Sequence, residues 1–370
     1  MRLVPTEEER DLAAMLRQLF ADHCPVAVVR GLREPGADRF PKRLWDELTR
    51  AGVLELPFAE RHDGAGGGLV EVGVLAREAG RALCPSIVLG TLGLGLAVDA
   101  LGDDALRDRL LPGVGRGETR GVAAVASPWD AGDLAPTLSA TTEGAGWRVS
   151  GVVRYVVDAD LADLVLATAL TPEGRTVGVL LRPGDTGRVE QLRTSAGDRY
   201  ARLHVDATIP AADVLPDLDP EAVRRVALTL RALACVELVG VTEAILDRTV
   251  EYVRGREQFG RPIASFQAAQ HLVADIHIGL QAARLTALSA AYRLGRGEVA
   301  TRETAIAVLH TAEAARRASL DAHQLHGGMG YVLETDLHLW SERARELGVL
   351  GGGPDQATRW LEREVVDAPA

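Results

Sequence analysis

The chain has 370 residues, 47% hydrophobic and 25% charged, with a formal charge of −11. That length and balance leave room for a large core in two to three domains and do not fit a disordered chain. The acidic balance, without a basic run, argues against nucleic acid as the main partner, and no apolar stretch reaches the roughly 18–20 residues of a membrane span.

The N-terminal residues are acidic and lack the apolar segment of a signal peptide. Cys24, Cys84 and Cys235 are far apart in the chain. They read as buried free thiols of a protein in a reducing cytoplasm, neither disulfides nor a metal set. Thr6 with Glu9 forms a capping box, and Leu12, Leu16, Leu19 and Phe20 then fall on one helical face. Leu44, Trp45, Leu48 and Val53 repeat the pattern. His62–Gly68 is a glycine-rich loop, and Val70–Leu83 is a further helix. From about Gly121 the texture changes. Trp147–Gly151, Leu164–Thr168, Val177–Leu181 and Arg202–Asp206 are short, strand-like runs. Asp219-Pro220-Glu221 then combines an N-cap, a proline in the first turn and an acidic residue. It opens a long helix to about Arg254, broken by Arg261-Pro262 and followed by helices over Phe266–Arg293 and Thr301–Leu325. The expected class is α+β: a helical domain over 1–120, a β-domain over 121–218 and a C-terminal four-helix bundle over 219–370.

Two blocks in the last zone carry the chemistry. One is Arg256-Glu-Gln-Phe259-Gly260-Arg-Pro262-Ile-Ala-Ser-Phe266-Gln267; the other is Gln324-Leu-His-Gly327-Gly328-Met-Gly330-Tyr331. A guanidinium at a helix end can clamp a pyrophosphate through charge-assisted bonds, or form a surface pair with Glu251 or Glu257. Closely spaced glycines let a backbone approach a ligand or another helix. Glu237 sits in the otherwise apolar run Leu233–Gly240, where a carboxylate is costly unless paired or used. Either it is a catalytic base, or it forms a buried ion pair with an arginine such as Arg231, or it faces a subunit boundary. Asp355, Glu346 and Glu342 are weaker candidates. His323 and His326 beside Asp321 are read as a packed helix end in preference to a metal site. Gly90-x-x-Gly93-x-Gly95 follows no strand and is not a dinucleotide fingerprint.

In order and separation, the two blocks resemble the FAD-binding signature of the acyl-CoA dehydrogenase family. Trp45–Gly52, Glu78–Leu83, Leu110–Gly113 and Gly146–Gly151 are similar to other parts of that family. The resemblance implies FAD as cofactor, an acyl-CoA or acyl-carrier-protein thioester as substrate and an electron-transferring flavoprotein as acceptor. It also implies a homodimer, a homotetramer or a heteromer with a homologous chain. Arg256, Phe259 and Gln267 would hold the FAD of a neighbouring subunit, and Gln324, Gly327 and Gly328 would meet its ADP half.

Three departures stand out. The family's Thr-Glu-Pro segment aligns with Ala126-Ser127-Pro128, so Ser127, backbone or water would serve the flavin ring edge. Its Trp-Ile-Thr segment aligns with Tyr155-Val156-Val157. Its usual catalytic Glu aligns with Gly351, and the alternative position on the first bundle helix falls at Leu230–Arg231, without a carboxylate. Glu237 is then the remaining candidate base for α-proton abstraction coupled to hydride transfer to flavin N5. The alternatives are a subunit that completes a shared FAD site in a heteromer, a flavin monooxygenase on the same fold, or a helical scaffold with a vestigial site.

Overall fold

The computed structural model describes residues 3–34, 37–184, 187–194 and 199–366. Helices come first: α1 (Glu7–His23), α2 (Val26–Arg33), α3 (Lys42–Arg50), α4 (Leu69–Ala82), α5 (Ser86–Leu101) and α6 (Asp104–Gly115). The capping box forms as expected. Glu9 N donates to Thr6 Oγ1 at 3.0 Å, and Thr6 N donates to Glu9 Oε2 at 3.0 Å. Leu16 and Phe20 are the buried residues of α1.

The middle unit is one eight-stranded sheet of β1 (Gly121–Ala124), β2 (Leu138–Glu143), β3 (Gly146–Val157), β4 (Leu164–Leu170), β5 (Thr176–Leu181), β6 (Gly187–Arg193), β7 (Arg199–Pro210) and β8 (Val214–Leu215). The strand order is β6-β7-β3-β2-β4-β5-β8, with β1 on β4. The sheet is mixed: β1 and β2 both run parallel to β4, and the other pairs are antiparallel. β3 slips register against β7 between Val153 and Val156. This bulge turns Tyr155 out of the ladder at φ +56°.

The C-terminal unit holds α7 (Pro220–Gly255), a two-stranded ribbon of β9 (Glu257–Gln258) and β10 (Arg261–Pro262), then α8 (Gln267–Gly295), α9 (Thr301–His326), α10 (Leu337–Val349) and α11 (Gly353–Val366). α7 to α10 pack together as a bundle, and α11 closes over α9 as a fifth helix. α7 has 36 residues, about 54 Å at 1.5 Å per residue, and it contacts both other units. Its closest partner in the N-terminal domain is α4. An added Cβ at Gly80 would lie 2.1 Å from Glu237 O, and one at Gly240 would lie 1.9 Å from Arg77 O. Only glycine on both helices allows this approach, and it fixes Glu237 deep in the domain junction.

Candidate active site

A cavity of about 180 Å³ lies between the sheet and α7. Its walls are Val122–Pro128, Arg154–Val157 of the bulged β3, Leu230, Arg231 and Ala234 of α7, and Leu350–Gly351. Two loops close one side. Gly351 N donates to Pro128 O at 3.0 Å, and Ala131 N donates to Gly351 O at 3.1 Å. Gly351, Gly352 and Gly353 have φ of +68°, +101° and +60°, a succession that disfavours any side chain. An added Cβ at Gly352 would meet Trp129 O at 2.4 Å. Trp129 and Tyr155 stack edge to face beside this loop, with ring centroids 4.7 Å apart. Ser127 lines the cavity and its Oγ accepts from Trp129 N at 3.3 Å.

Among the described residues, the charged groups on the cavity wall are two arginines and no carboxylate. Arg154 is exposed, whereas Arg231 is 4% exposed. Arg231 Nη1 donates to Leu347 O at 3.0 Å, but its Nε and Nη2 have no partner among the described residues. Burial lowers the Arg231 pKa.

Glu237 is 5% exposed and does not line the cavity. Arg343 of α10 donates to its Oε1 from Nε at 3.0 Å and from Nη2 at 2.6 Å. The expected partner Arg231 is thus replaced by Arg343. The reason is helical geometry: positions six apart on one helix do not face each other, unlike those three or four apart. Burial, and then the charge of Glu346, push the Glu237 carboxyl up to about 8, and contact with Arg343 opposes that rise. Glu346 lies 4.0 Å from Arg343 Nη1 and interacts with the hydroxyl of Tyr200, a residue of the cavity wall. Glu342 is paired with Arg33 at 3.0 Å, and Asp355 is exposed in the first turn of α11.

The two signature blocks meet at the other end of α7. Tyr252 stacks on His326 at 4.1 Å and donates from its hydroxyl to His326 O at 3.3 Å. Val253, Ala269 and Leu325 form a small core beneath them. Arg256 caps α7 through its backbone and makes no ion pair among the described residues, so neither Glu251 nor Glu257 engages it. Phe259 and Gly260 both take positive φ at the tip of the ribbon, the signature of a tight hairpin turn. Phe259 is 93% exposed. Gln267, Gln324, Gly327 and Gly328 are exposed nearby. Ser127 belongs to the cavity, apart from this cluster. His323 Nε2 contacts Ser341 Oγ at 2.9 Å, and His326 Nδ1 contacts Ala322 O at 2.8 Å. Both imidazoles are engaged in helix packing, and among the described residues no group of three or more side chains could hold a metal ion. Cys24, Cys84 and Cys235 are buried free thiols.

Residues 6–118 match the acyl-CoA dehydrogenase N-terminal domain, and residues 223–364 match the acyl-CoA dehydrogenase C-terminal domain. The acyl-CoA dehydrogenase IpdE2 of Mycobacterium tuberculosis is 32% identical over 99% of this chain and 100% of its own length. The chain belongs to the acyl-CoA dehydrogenase family. The acyl-CoA dehydrogenase FadE28 of the same organism is also 32% identical, over 86% of this chain and 91% of its own. A crystal structure of the ChsE4-ChsE5 complex from Mycobacterium tuberculosis superposes with a TM-score of 0.91 at 28% identity, covering 100% of both chains. A variant of the Tcur3481-Tcur3483 steroid ACAD superposes with a TM-score of 0.88 at 30% identity, covering 98% of each.

Membership makes this an FAD-dependent acyl-CoA dehydrogenase chain, with an acyl-CoA as substrate. The exposed cluster fits the cofactor's polar half. Arg256 is uncommitted among the described residues, and nothing lies within 4 Å of an added Cβ at Gly327 or Gly328, so the backbone there is open to a ligand. At the cavity, Val156 and Val157 offer only backbone polar groups, and Ser127 Oγ is the side-chain hydroxyl on the 126–128 loop. No single helix among the described residues is long and apolar enough to cross a membrane.

Proposed function

We propose that this chain works as one subunit of a heteromeric acyl-CoA dehydrogenase, with the catalytic base on a homologous partner chain. One observation carries the reading: the described cavity wall presents Arg231 and Arg154 but no carboxylate, and Glu237 is held outside it by Arg343. α-Proton abstraction needs a carboxylate within hydrogen-bond reach of the substrate. Gly351 has none, its loop is stitched to Pro128 and Ala131, and its φ of +68° strains any side chain placed there.

In this reading the chain's contribution lies at the exposed end of α7. Arg256, Phe259 and Gln267 reach toward the partner's FAD, with Gln324, Gly327 and Gly328 beside its ADP half. When bound, FAD supplies the hydride acceptor for desaturation of the thioester. Phe259, a non-glycine residue at φ +56° with its ring in solvent, is held in a conformation that favours presentation to another surface. The likeness to the two-chain ChsE4-ChsE5 and Tcur3481-Tcur3483 assemblies supports the heteromer. The electron-transferring flavoprotein would be the acceptor, and the buried free thiols agree with a cytoplasmic setting.

A self-sufficient enzyme with Glu237 as base is the second reading. The elevated carboxyl pKa of about 8 favours it, since a base should titrate near the working pH. The test is to purify the chain alone and together with a homologous chain encoded beside it. In the proposed heteromer, flavin absorbance and its anaerobic bleaching by acyl-CoA appear only in the joint preparation. A chain that is yellow alone and bleached by acyl-CoA is self-sufficient.

A further inference from the structure

We infer that α1, α4, α7 and α8 form a second binding site, for a single-chain aliphatic carboxylate such as a fatty acid. These helices leave a cavity of about 400 Å³ between them, within the roughly 300–1,000 Å³ of small-molecule sites. It shares no wall residue with the cavity beside Gly351. That cavity takes Ala227, Leu230 and Ala234 from α7, and this one takes Val236 and Val239. At about 100° per residue, the two sets lie on opposite sides of the helix. The wall is a surface for hydrocarbon. Val70 and Val74 of α4, Val236 of α7 and Leu288 of α8 line it and are only half-buried. Gly73 is buried beside the two valines of α4, yet a Cβ added to it would meet nothing within 4 Å. The space therefore reaches the helix backbone. An alkyl chain placed there completes the burial of these side chains, at about 25 cal/mol per Å².

Arg284 supplies the contact for the charged end. It lines the cavity one turn before Leu288, on the same face of α8. Among the described residues it makes no hydrogen bond and no ion pair, and its Nε is enclosed without a partner. Its Nη1 and Nη2 are equally unpaired but keep accessible surface, so they are open to a ligand. Those two nitrogens match the two oxygens of a carboxylate. The rest of the lining favours an anion. The wall carries three arginines, Arg10, Arg77 and Arg284, and one carboxylate, Glu9, in a chain whose formal charge is −11. Glu9 already accepts from Thr6 N in the capping box, and Arg77 is engaged by Glu243 at 2.9 Å. A neutral lipid would leave Arg284 unpaired, whereas a fatty acid satisfies both the apolar wall and the guanidinium. The site is apart from the reacting atoms, so the inference holds whichever chain carries the base.

The test is calorimetric titration of the full chain in its native assembly with decanoate and with decan-1-ol, which has the same chain length and no charge. Decanoate should bind saturably, and about tenfold or more tightly than the alcohol. Gly73→Leu puts a side chain into the cavity and replaces a helix-interior glycine with a better helix former. It should lose one decanoate per chain without lowering the thermal midpoint or the flavin content. Arg284→Gln should weaken decanoate about tenfold and leave decan-1-ol unchanged. No saturable binding to the wild type overturns the inference, and so does equal affinity for the two probes. An unchanged number of decanoates in Gly73→Leu would place the ligand elsewhere in the molecule and overturns it as well. That variant decides even if substitution at Arg284 disturbs α8.

Discussion

Two buried arginines divide this molecule into a finished region and an open one. Arg343, 7% exposed in the domain junction, is matched by Glu237 on the facing helix. Arg231, 4% exposed on the cavity wall, has half its fork unengaged among the described residues. Arg231 is part of α7 and Arg343 faces it from α10, and burial lowers the pKa of both. The junction is built to hold three domains in register. The cavity wall, among the described residues, carries arginines and no carboxylate.

The sharpest way to break the comparison is to remove the junction's carboxylate. Glu237→Ala leaves Arg343 buried without its partner and should cost about 3–5 kcal/mol in a urea melt, as for other broken buried pairs. A fully stable Glu237→Ala protein would contradict the structural role. The glycine turn beside the cavity comes next. Gly352→Ala combines φ +101° with a clash against Trp129 O, and should lose on the order of 2–3 kcal/mol. Gly351→Ala is milder. Its φ is +68° and its nearest neighbours, Ala131 and Arg231, are 3.3 Å away, so about 1–2 kcal/mol is expected. The same urea melts rank the two, and the reverse order would mean that the loop opens freely.

A pH series sharpens the picture of the junction. Burial pushes Asp158 up to about 6, against a bond from Ser86 Oγ at 2.6 Å. An ordinary aspartate in the unfolded chain titrates near 3.9. Between these values the folded form binds more protons than the unfolded one, so stability falls as pH rises from about 4 to about 6, and the loss is complete above that. Asp158→Asn removes this fall and should stabilise the protein at pH 7 by on the order of 2 kcal/mol. Asn also tolerates the φ of +47° found there. An unchanged slope of stability against pH would show that Asp158 stays ionised. The smallest effect on folding belongs to the exposed cluster. Arg256→Ala should move stability by less than about 0.5 kcal/mol, while lowering the flavin content of the assembly. Unaltered flavin content would remove Arg256 from the cofactor site.

Much of the fold was legible in the sequence because its signals are local. Thr6 with Glu9, and Asp219 with Glu221, declare helix starts by side-chain bonds within three residues. The Arg256–Gln267 and Gln324–Tyr331 blocks were legible because each is contiguous. The partners of the buried charges were not. Glu237 meets Arg343 across 106 positions, and nothing in the run Ser341-Glu-Arg-Ala-Arg-Glu346 distinguishes it from a solvated helix face. Arg231 was visible as a possible partner for Glu237 and as a position where the base is absent. Its free edge appears only when α7, α10 and the Gly351 loop are packed together. Glycines carried a double meaning. Gly351 read as a lost base, and the structure adds that its loop is bonded to the 128–131 loop in a geometry that disfavours any side chain.

The most direct measurement of where the base lies is anaerobic flavin bleaching by acyl-CoA in the co-purified heteromer, with Glu237→Gln in this chain and, separately, the corresponding change in the partner's candidate base. Glu237→Gln keeps an acceptor for Arg343, so the assembly should form. With the base on the partner, Glu237→Gln bleaches at the wild-type rate and the partner variant does not bleach. Loss of bleaching in a folded, flavin-loaded Glu237→Gln heteromer would place the base in this chain and contradict the division of labour proposed for it.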